Sequence, residues 1–245
     1  MLVLFKIFLL FIVGHAASGS DAGSSNLGAS SMELFRRSWQ TYKKVVKADH
    51  MEHAAMTSSL SAALRTHLSG KVDICVADVG CGDLGLLAPL YRSLAPTLAA
   101  FTGVDLSEPA LAMAQQELAE LQGALALRWA HEDLLQWSAA TSTEAAVGVD
   151  GSLTPPPAPA SEVRYDVVIC AFSVHHLHDM DKQLFLRNVL QHRLKPNGIV
   201  LMADVFMKPQ ETRDGYMQRF GSHVERTWTS LSTEEVGRCV PASAS

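Results

Sequence analysis

Residues 76–85 read Val76-Ala77-Asp78-Val79-Gly80-Cys81-Gly82-Asp83-Leu84-Gly85. A continuous apolar run with one acid at each end, Val72 to Val79, enters three glycines spaced G-x-G-x-x-G, and a helical pattern from Leu84 to Leu94 leaves them. Such a run suits a parallel strand buried on both faces. The glycines permit a tight turn that a ligand can approach closely. The rhythm continues outward from this unit. Strands are expected at Ala99–Val104, Leu125–Ala130, Tyr165–Ala171 and Ile199–Val205. Helices are expected at Pro109–Leu121, N-capped by Ser107, and at Asp181–Leu194, stopped by Pro196. Upstream, Phe35, Trp39, Tyr42 and Val46 share a helical face, and Glu52–Ser69 reads as a second helix. A last helix is expected from Gln210 to Trp228. Strands alternating with helices predict an α/β fold with a mostly parallel sheet and right-handed crossovers.

Composition narrows the function classes. The chain has 245 residues, 48% hydrophobic and 18% charged, with a net charge of −5. That excludes a disordered chain and argues against a basic nucleic-acid binder. Four cysteines do not make a disulfide framework. Cys75 and Cys170 lie in strand-like runs and read as small buried hydrophobes. No stable membrane span is expected, since no run reaches about 18 apolar residues. Residues 1–19 read as a secretory signal peptide, apolar from Met1 to Val13 apart from Lys6. A short anchor or a misassigned start are the alternatives. The leader implies the secretory pathway or an organelle; a misassigned start implies the cytoplasm. Residues 20–31 read as a flexible Ser/Gly/Ala linker, and neither segment is expected in the fold. Residues 139–163, with Thr154-Pro155-Pro156-Pro157-Ala158-Pro159, read as a low-complexity loop insertion.

Asp105 ends the second strand, twenty residues after Gly85. A carboxylate there can accept hydrogen bonds from both hydroxyls of a ribose, each worth about 1.5–3 kcal/mol. Nicotinamide dinucleotides and S-adenosyl-L-methionine both fit such a turn. Asp78 favours the second. An acid before the first glycine repels a pyrophosphate but attracts a sulfonium and an ammonium, and Asp83 adds charge of the same sign.

Four segments, taken together, resemble successive motifs of the class I S-adenosylmethionine-dependent methyltransferases. They are Asp78–Gly85, Gly103–Ser107 (Gly-Val-Asp-Leu-Ser), Asp166–Leu177 (ending Ser-Val-His-His-Leu) and Leu194–Leu201 (Leu-Lys-Pro-Asn-Gly-Ile-Val-Leu). The resemblance covers about Met51 to Val205, and it makes residues 32–245 a methyltransferase domain of the Rossmann-like three-layer type. It implies that Asp78, Gly80, Cys81 and Gly82 hold the methionine end of S-adenosyl-L-methionine. Asp105 binds the ribose, and Leu106 packs on the adenine. Asp133 meets the adenine amine with Leu134 beside the ring, unless Asp133 serves only as a helix cap. Ala171 and Phe172 face the reacting methyl, unless Phe172 is core. The helix of Trp39 and Tyr42, with Asp49-His50-Met51-Glu52-His53, is similar to the N-terminal lid of members acting on small molecules, so the expected partner is a small-molecule methyl acceptor. The resemblance also places Arg213, Tyr216 and Arg219 on the substrate side.

The cluster His175, His176, His178 and Asp179 admits three readings: shaping the loop under the cofactor, a general base, or a metal site. His176 is the expected base, and no metal site is expected. The family's sheet runs 3-2-1-4-5-7-6, its last two strands forming an antiparallel hairpin. The 40 residues after Val205 hold no strand pair. The domain therefore reads as C-terminally truncated, with an open edge at the fifth strand. Two alternatives follow: an impaired cofactor- or partner-binding protein, and an NAD-dependent oxidoreductase.

Overall fold

The computed structural model describes residues 8–10, 39–139 and 163–239. The linker, the body of the insertion (140–162) and most of the leader lie outside the described residues. Among the described residues the chain divides into two units, one holding residues 8–10, 57–139 and 163–204, the other holding 39–56 and 205–239.

The first unit is built on five parallel strands: β2 (Ile74–Val79), β3 (Leu98–Asp105), β4 (Ala126–His131), β5 (Tyr165–Ala171) and β6 (Leu194–Ala203). A three-residue strand, β1 (Phe8–Leu10), completes the order β1-β6-β5-β2-β3-β4. Counting from the strand before the glycine turn, the parallel part is 5-4-1-2-3, the order the class I resemblance implies. Strand β5 matches its expected bounds residue for residue. Its side chains at Val167, Val168, Ile169 and Cys170 are wholly buried, as are Val76, Ala77 and Val79 in β2. Burial on both faces is why these segments show runs rather than alternation. Cys75 is only half-buried.

Several bounds shift, each for a local reason. Val72 lies outside β2 and is 69% exposed. Helix α3 (Ala88–Leu94) begins four residues later than the apolar pattern suggests. Leu84 takes a φ of 56°, which no right-handed helix admits, and Pro89 sits in the first turn of α3. Helix α4 (Glu108–Glu117) starts as expected. The Ser107 hydroxyl accepts from the Ala110 N–H at 3.4 Å, with Glu108 in the first turn. Helix α6 (Asp179–Asn188) widens into a π turn over Val189–Arg193, and β6 begins at Leu194, five residues early. Tyr165 pairs with Leu194 and Val167 with Ile199, so Lys195-Pro196-Asn197-Gly198 bulges out of the ladder.

The amino ends of the strands are tied by Asp166. One of its carboxylate oxygens accepts from the Cys75 N–H at 2.8 Å and from Lys195 Nζ at 2.7 Å, joining β5 to β2 and β6. Arg193 is wholly buried. It donates to the carbonyls of Trp137 and Ala139 at the end of the short helix α5 (Leu134–Ser138), and its guanidinium lies 5.0 Å from the Trp137 ring. Trp137 packs in turn on Tyr165, whose hydroxyl donates to Thr102 in β3.

The outer edge of β6 departs from expectation. Phe8, Leu9 and Leu10 pair antiparallel with Met202, Leu201 and Val200. An unpaired edge offers a row of N–H and C=O groups to any extended segment, and part of the expected leader takes that place. Among the described residues after β6 there are only helices, α7 (Arg213–Thr227) and α8 (Thr233–Cys239). No helix among the described residues is long and apolar enough to cross a membrane.

The second unit joins the N-terminal helix α1 (Trp39–Lys47) to α7 and α8. Val45, Val224 and Trp228 form its buried cluster, with Met51, Phe220, Leu231 and Val236 against it. His50 stacks on Trp228 with centroids 5.3 Å apart, and its Nε2 meets Ser230 Oγ at 2.6 Å. Arg219 makes a paired contact with both Glu211 oxygens, at 2.7 and 2.8 Å, and lies over the Tyr216 ring. Helix α2 (His53–Leu68) crosses the division between units.

Candidate functional site

The glycine turn sits where the sheet order reverses. Strand β2 is flanked by β3 on one side and β5 on the other, and a doubly wound sheet opens a crevice outside the carboxyl ends at that point. The turn is held by its own backbone. The N–H groups of Gly80 and Cys81 both donate to Val104 O, at 2.8 and 2.9 Å. Gly80 (φ 76°) and Gly82 (φ 57°) take left-handed conformations. A Cβ on Gly80 would lie 2.3 Å from the Cβ of Ser173, so only glycine lets the β5 loop approach. Ser173 is buried and its hydroxyl donates to Val79 O at 2.7 Å.

Asp105 closes the turn from the β3 side. Its Oδ2 accepts from the Gly82 N–H and its Oδ1 from the Ser107 N–H, both at 2.8 Å. Both oxygens of this carboxylate are thus oriented by backbone N–H groups, one from the turn and one from the start of α4. Asp83 accepts from the Gly85 N–H at 3.1 Å, and Cys81, half-buried, directs its thiol at Gly82 O.

Asp78 is the unusual group. It is wholly buried at the end of β2, beneath the turn. Its Oδ2 accepts from the Tyr91 hydroxyl at 2.7 Å, while Oδ1 is buried with no hydrogen-bond partner. Burial pushes its pKa up to about 7. The Tyr91 bond opposes that rise and the Asp105 charge adds to it. A buried acceptor without a donor is expensive, and a cationic ligand would relieve it. These residues therefore suit a positively charged group above the turn and disfavour a phosphate.

The remaining expected residues line the same carboxyl edge. Asp133 caps α5, its Oδ1 accepting from the Gln136 N–H at 2.8 Å. Leu134 is the first residue of that helix and half-buried. Leu106 follows Asp105 and its carbonyl meets His131 Nε2 at 3.0 Å. Ala171 ends β5. Phe172 takes a φ of 54°, uncommon for an aromatic residue, and is anchored by its N–H to Ala203 O at 2.8 Å. Both are half-buried rather than core.

The histidines separate into different environments. Val174–His176 form one 3₁₀ turn. The His175 N–H and ring Nδ1 both contact Asp204, at 3.0 and 2.6 Å. Asp204 is 3% exposed and follows β6 directly. His176 lies against the His175 ring, 4.0 Å between centroids. Burial pulls its pKa down to about 4 and the neighbouring His175 adds to this, so His176 is neutral and a weak base. His178 is exposed. Among the described residues no group of His, Cys, Asp and Glu is arranged to hold a metal. Tyr91, Ser173 and Asp204 were not anticipated.

The chain is similar to several solved proteins. The plantazolicin methyltransferase BpumL, solved with S-adenosyl-L-homocysteine, is 14% identical with a TM-score of 0.51 over 84% of this chain and 65% of that one. It shows the fold. The magnesium protoporphyrin IX methyltransferase of Synechocystis PCC 6803 is 20% identical (TM-score 0.42; 68% of this chain, 64% of that one). A methyltransferase from Thiobacillus denitrificans is 22% identical (TM-score 0.37; 58% and 46%). The chain thus spans about half to two thirds of the length of these proteins. No curated protein sequence matches it. Residues 77–200, just over half of the chain, match the family model described as a methyltransferase domain, and the chain belongs to that family.

Proposed function

We propose that the protein binds S-adenosyl-L-methionine at the glycine turn and transfers its methyl group to a small-molecule acceptor. The observation that carries the reading is the buried Asp78 carboxylate with one unpartnered oxygen under the turn. The methionine end brings an ammonium and a sulfonium to that place. A dinucleotide would bring a pyrophosphate instead. Bound there, the sulfonium supplies an activated methyl and a thioether leaving group.

The chain's own residues then have separate tasks. Gly80, Cys81 and Gly82 admit the ligand against the backbone. Asp105, braced by Gly82 and Ser107 at the end of β3, accepts from the ribose hydroxyls. Leu106 and Leu134 flank the adenine, and Asp133 keeps acceptor capacity beyond its cap bond for the adenine amine. Ala171 and Phe172 wall the reacting methyl. Alignment of acceptor, methyl and sulfur is the main task, and orientation of that kind supplies up to about 7–11 kcal/mol.

Calorimetric titration at pH 8 with S-adenosyl-L-methionine, S-adenosyl-L-homocysteine and NADH tests the reading. Binding of the first two without NADH is expected. NADH binding without the other two would overturn it.

A further inference from the structure

We propose that His175, held by Asp204, takes the proton from the methyl acceptor, and that the acceptor's reacting atom is therefore an oxygen or nitrogen that carries a proton. This rests on the methyl-transfer reading above and narrows its substrate class.

Position comes first. Ala171 pairs with Ala203, so the carboxyl ends of β5 and β6 lie side by side, and Asp204 directly follows β6. His175 is two residues beyond Ser173, whose hydroxyl bonds Val79 O and whose Cβ sits where a Gly80 side chain would be. The histidine turn therefore adjoins the glycine turn at the reversal point of the sheet.

The hydrogen bonds decide the chemistry. A carboxylate only accepts, so the 2.6 Å contact puts the proton of His175 on Nδ1. The second bond, from the His175 N–H to the other Asp204 oxygen, fixes the carboxylate against the turn. In the neutral ring the lone pair is then on Nε2, and the ring is one third exposed while its orienting acid is buried. A base oriented by a third group is the arrangement that activates nucleophiles in hydrolases. Here Asp204 is a positioning residue and His175 the proton acceptor. The step balances. The acceptor's proton goes to Nε2, the pair it leaves forms the new bond to the methyl carbon, and the C–S pair departs on sulfur, which becomes a neutral thioether. An acceptor already ionised would have no use for the pair.

The test uses the full chain with ¹⁵N-labelled histidine. Long-range ¹H–¹⁵N spectra read the tautomer of each neutral ring, and His175→Gln assigns the signal. A protonated Nδ1 and a bare Nε2 are expected for His175. Asp204→Asn should lose that form. A proton on Nε2 in the unaltered chain, or a tautomer indifferent to Asp204→Asn, would overturn the proposal. If Asp204→Asn does not fold, the unaltered chain still decides. S-Adenosyl-L-homocysteine is then added, with binding followed by calorimetry. Binding that shifts the His175 signals supports the placement, and binding that leaves them unmoved overturns it. No binding at all overturns the methyl-transfer reading itself, whatever the tautomer.

Discussion

Replacing Asp78 with Asn should make the ligand-free protein progressively more stable than the unaltered chain as pH rises from 5 to 8. Asp78 is wholly buried, and its pKa stands at about 7 instead of 3.8, chiefly through burial. The unfolded chain ionises this acid above about pH 4, but the folded chain resists until about 7. The unfolded state thus binds fewer protons across that window, and stability falls as pH rises. At about 1.4 kcal/mol per pH unit, the full penalty approaches about 4 kcal/mol above pH 7. Between pH 5 and 8 the part still to be lost is about 2–3 kcal/mol. Asn carries no such titration. Its own buried amide adds an offset of about 1–3 kcal/mol, which is the same at every pH and drops out of the slope. Urea unfolding followed by tryptophan fluorescence at pH 5, 6, 7 and 8 measures the difference, and the histidines, common to both chains, cancel. A difference that does not change with pH, or one that favours the unaltered chain as pH rises, would refute the reasoning. The same charge makes ligand binding proton-linked. Affinity for S-adenosyl-L-methionine should rise with pH up to about 7, by at most about tenfold per unit, and this dependence should vanish in Asp78→Asn.

Further outcomes follow from single contacts. Tyr91→Phe removes the hydroxyl that donates to Asp78; since that bond holds the pKa down, the pH midpoint of ligand binding should move up in titrations across pH 6–9. Gly80→Ala places a Cβ 2.3 Å from Ser173 at a φ of 76°. It should cost at least about 1–2 kcal/mol in urea unfolding and abolish calorimetric binding, because the turn can no longer close on the β5 loop. Arg193→Met leaves the carbonyls of Trp137 and Ala139 without this donor. Destabilisation of about 1–3 kcal/mol is expected by the same assay, with ligand affinity per folded molecule unchanged.

Much of the first unit was legible from local pattern. The apolar runs of β2, β3 and β5 are continuous because both sheet faces are covered, and such runs announce themselves without any partner. The Ser107 cap and the glycine turn are likewise local devices. Asp105 was legible because the turn-to-carboxylate spacing is set within one strand–helix–strand unit. Elements failed where a long-range contact overrode the local signal. Pro196, Asn197 and Gly198 read as a stop before a strand, yet the ladder to Tyr165 resumes upstream of them. Phe8–Leu10 reads as leader, yet it pairs with the β6 edge.

The amino-acid sequence by itself determined the alternation of strands and helices, the glycine turn and the acids flanking it, since each depends on neighbours within a few residues. Tertiary structure alone decided which side chains meet. Tyr91 reaches Asp78 only because α3 packs on β2, and Asp204 reaches His175 only because β6 lies beside β5. Both histidines lie on one 3₁₀ turn. Which of them receives the buried carboxylate depends on where a strand 29 residues later ends, and that is a property of the sheet rather than of the segment.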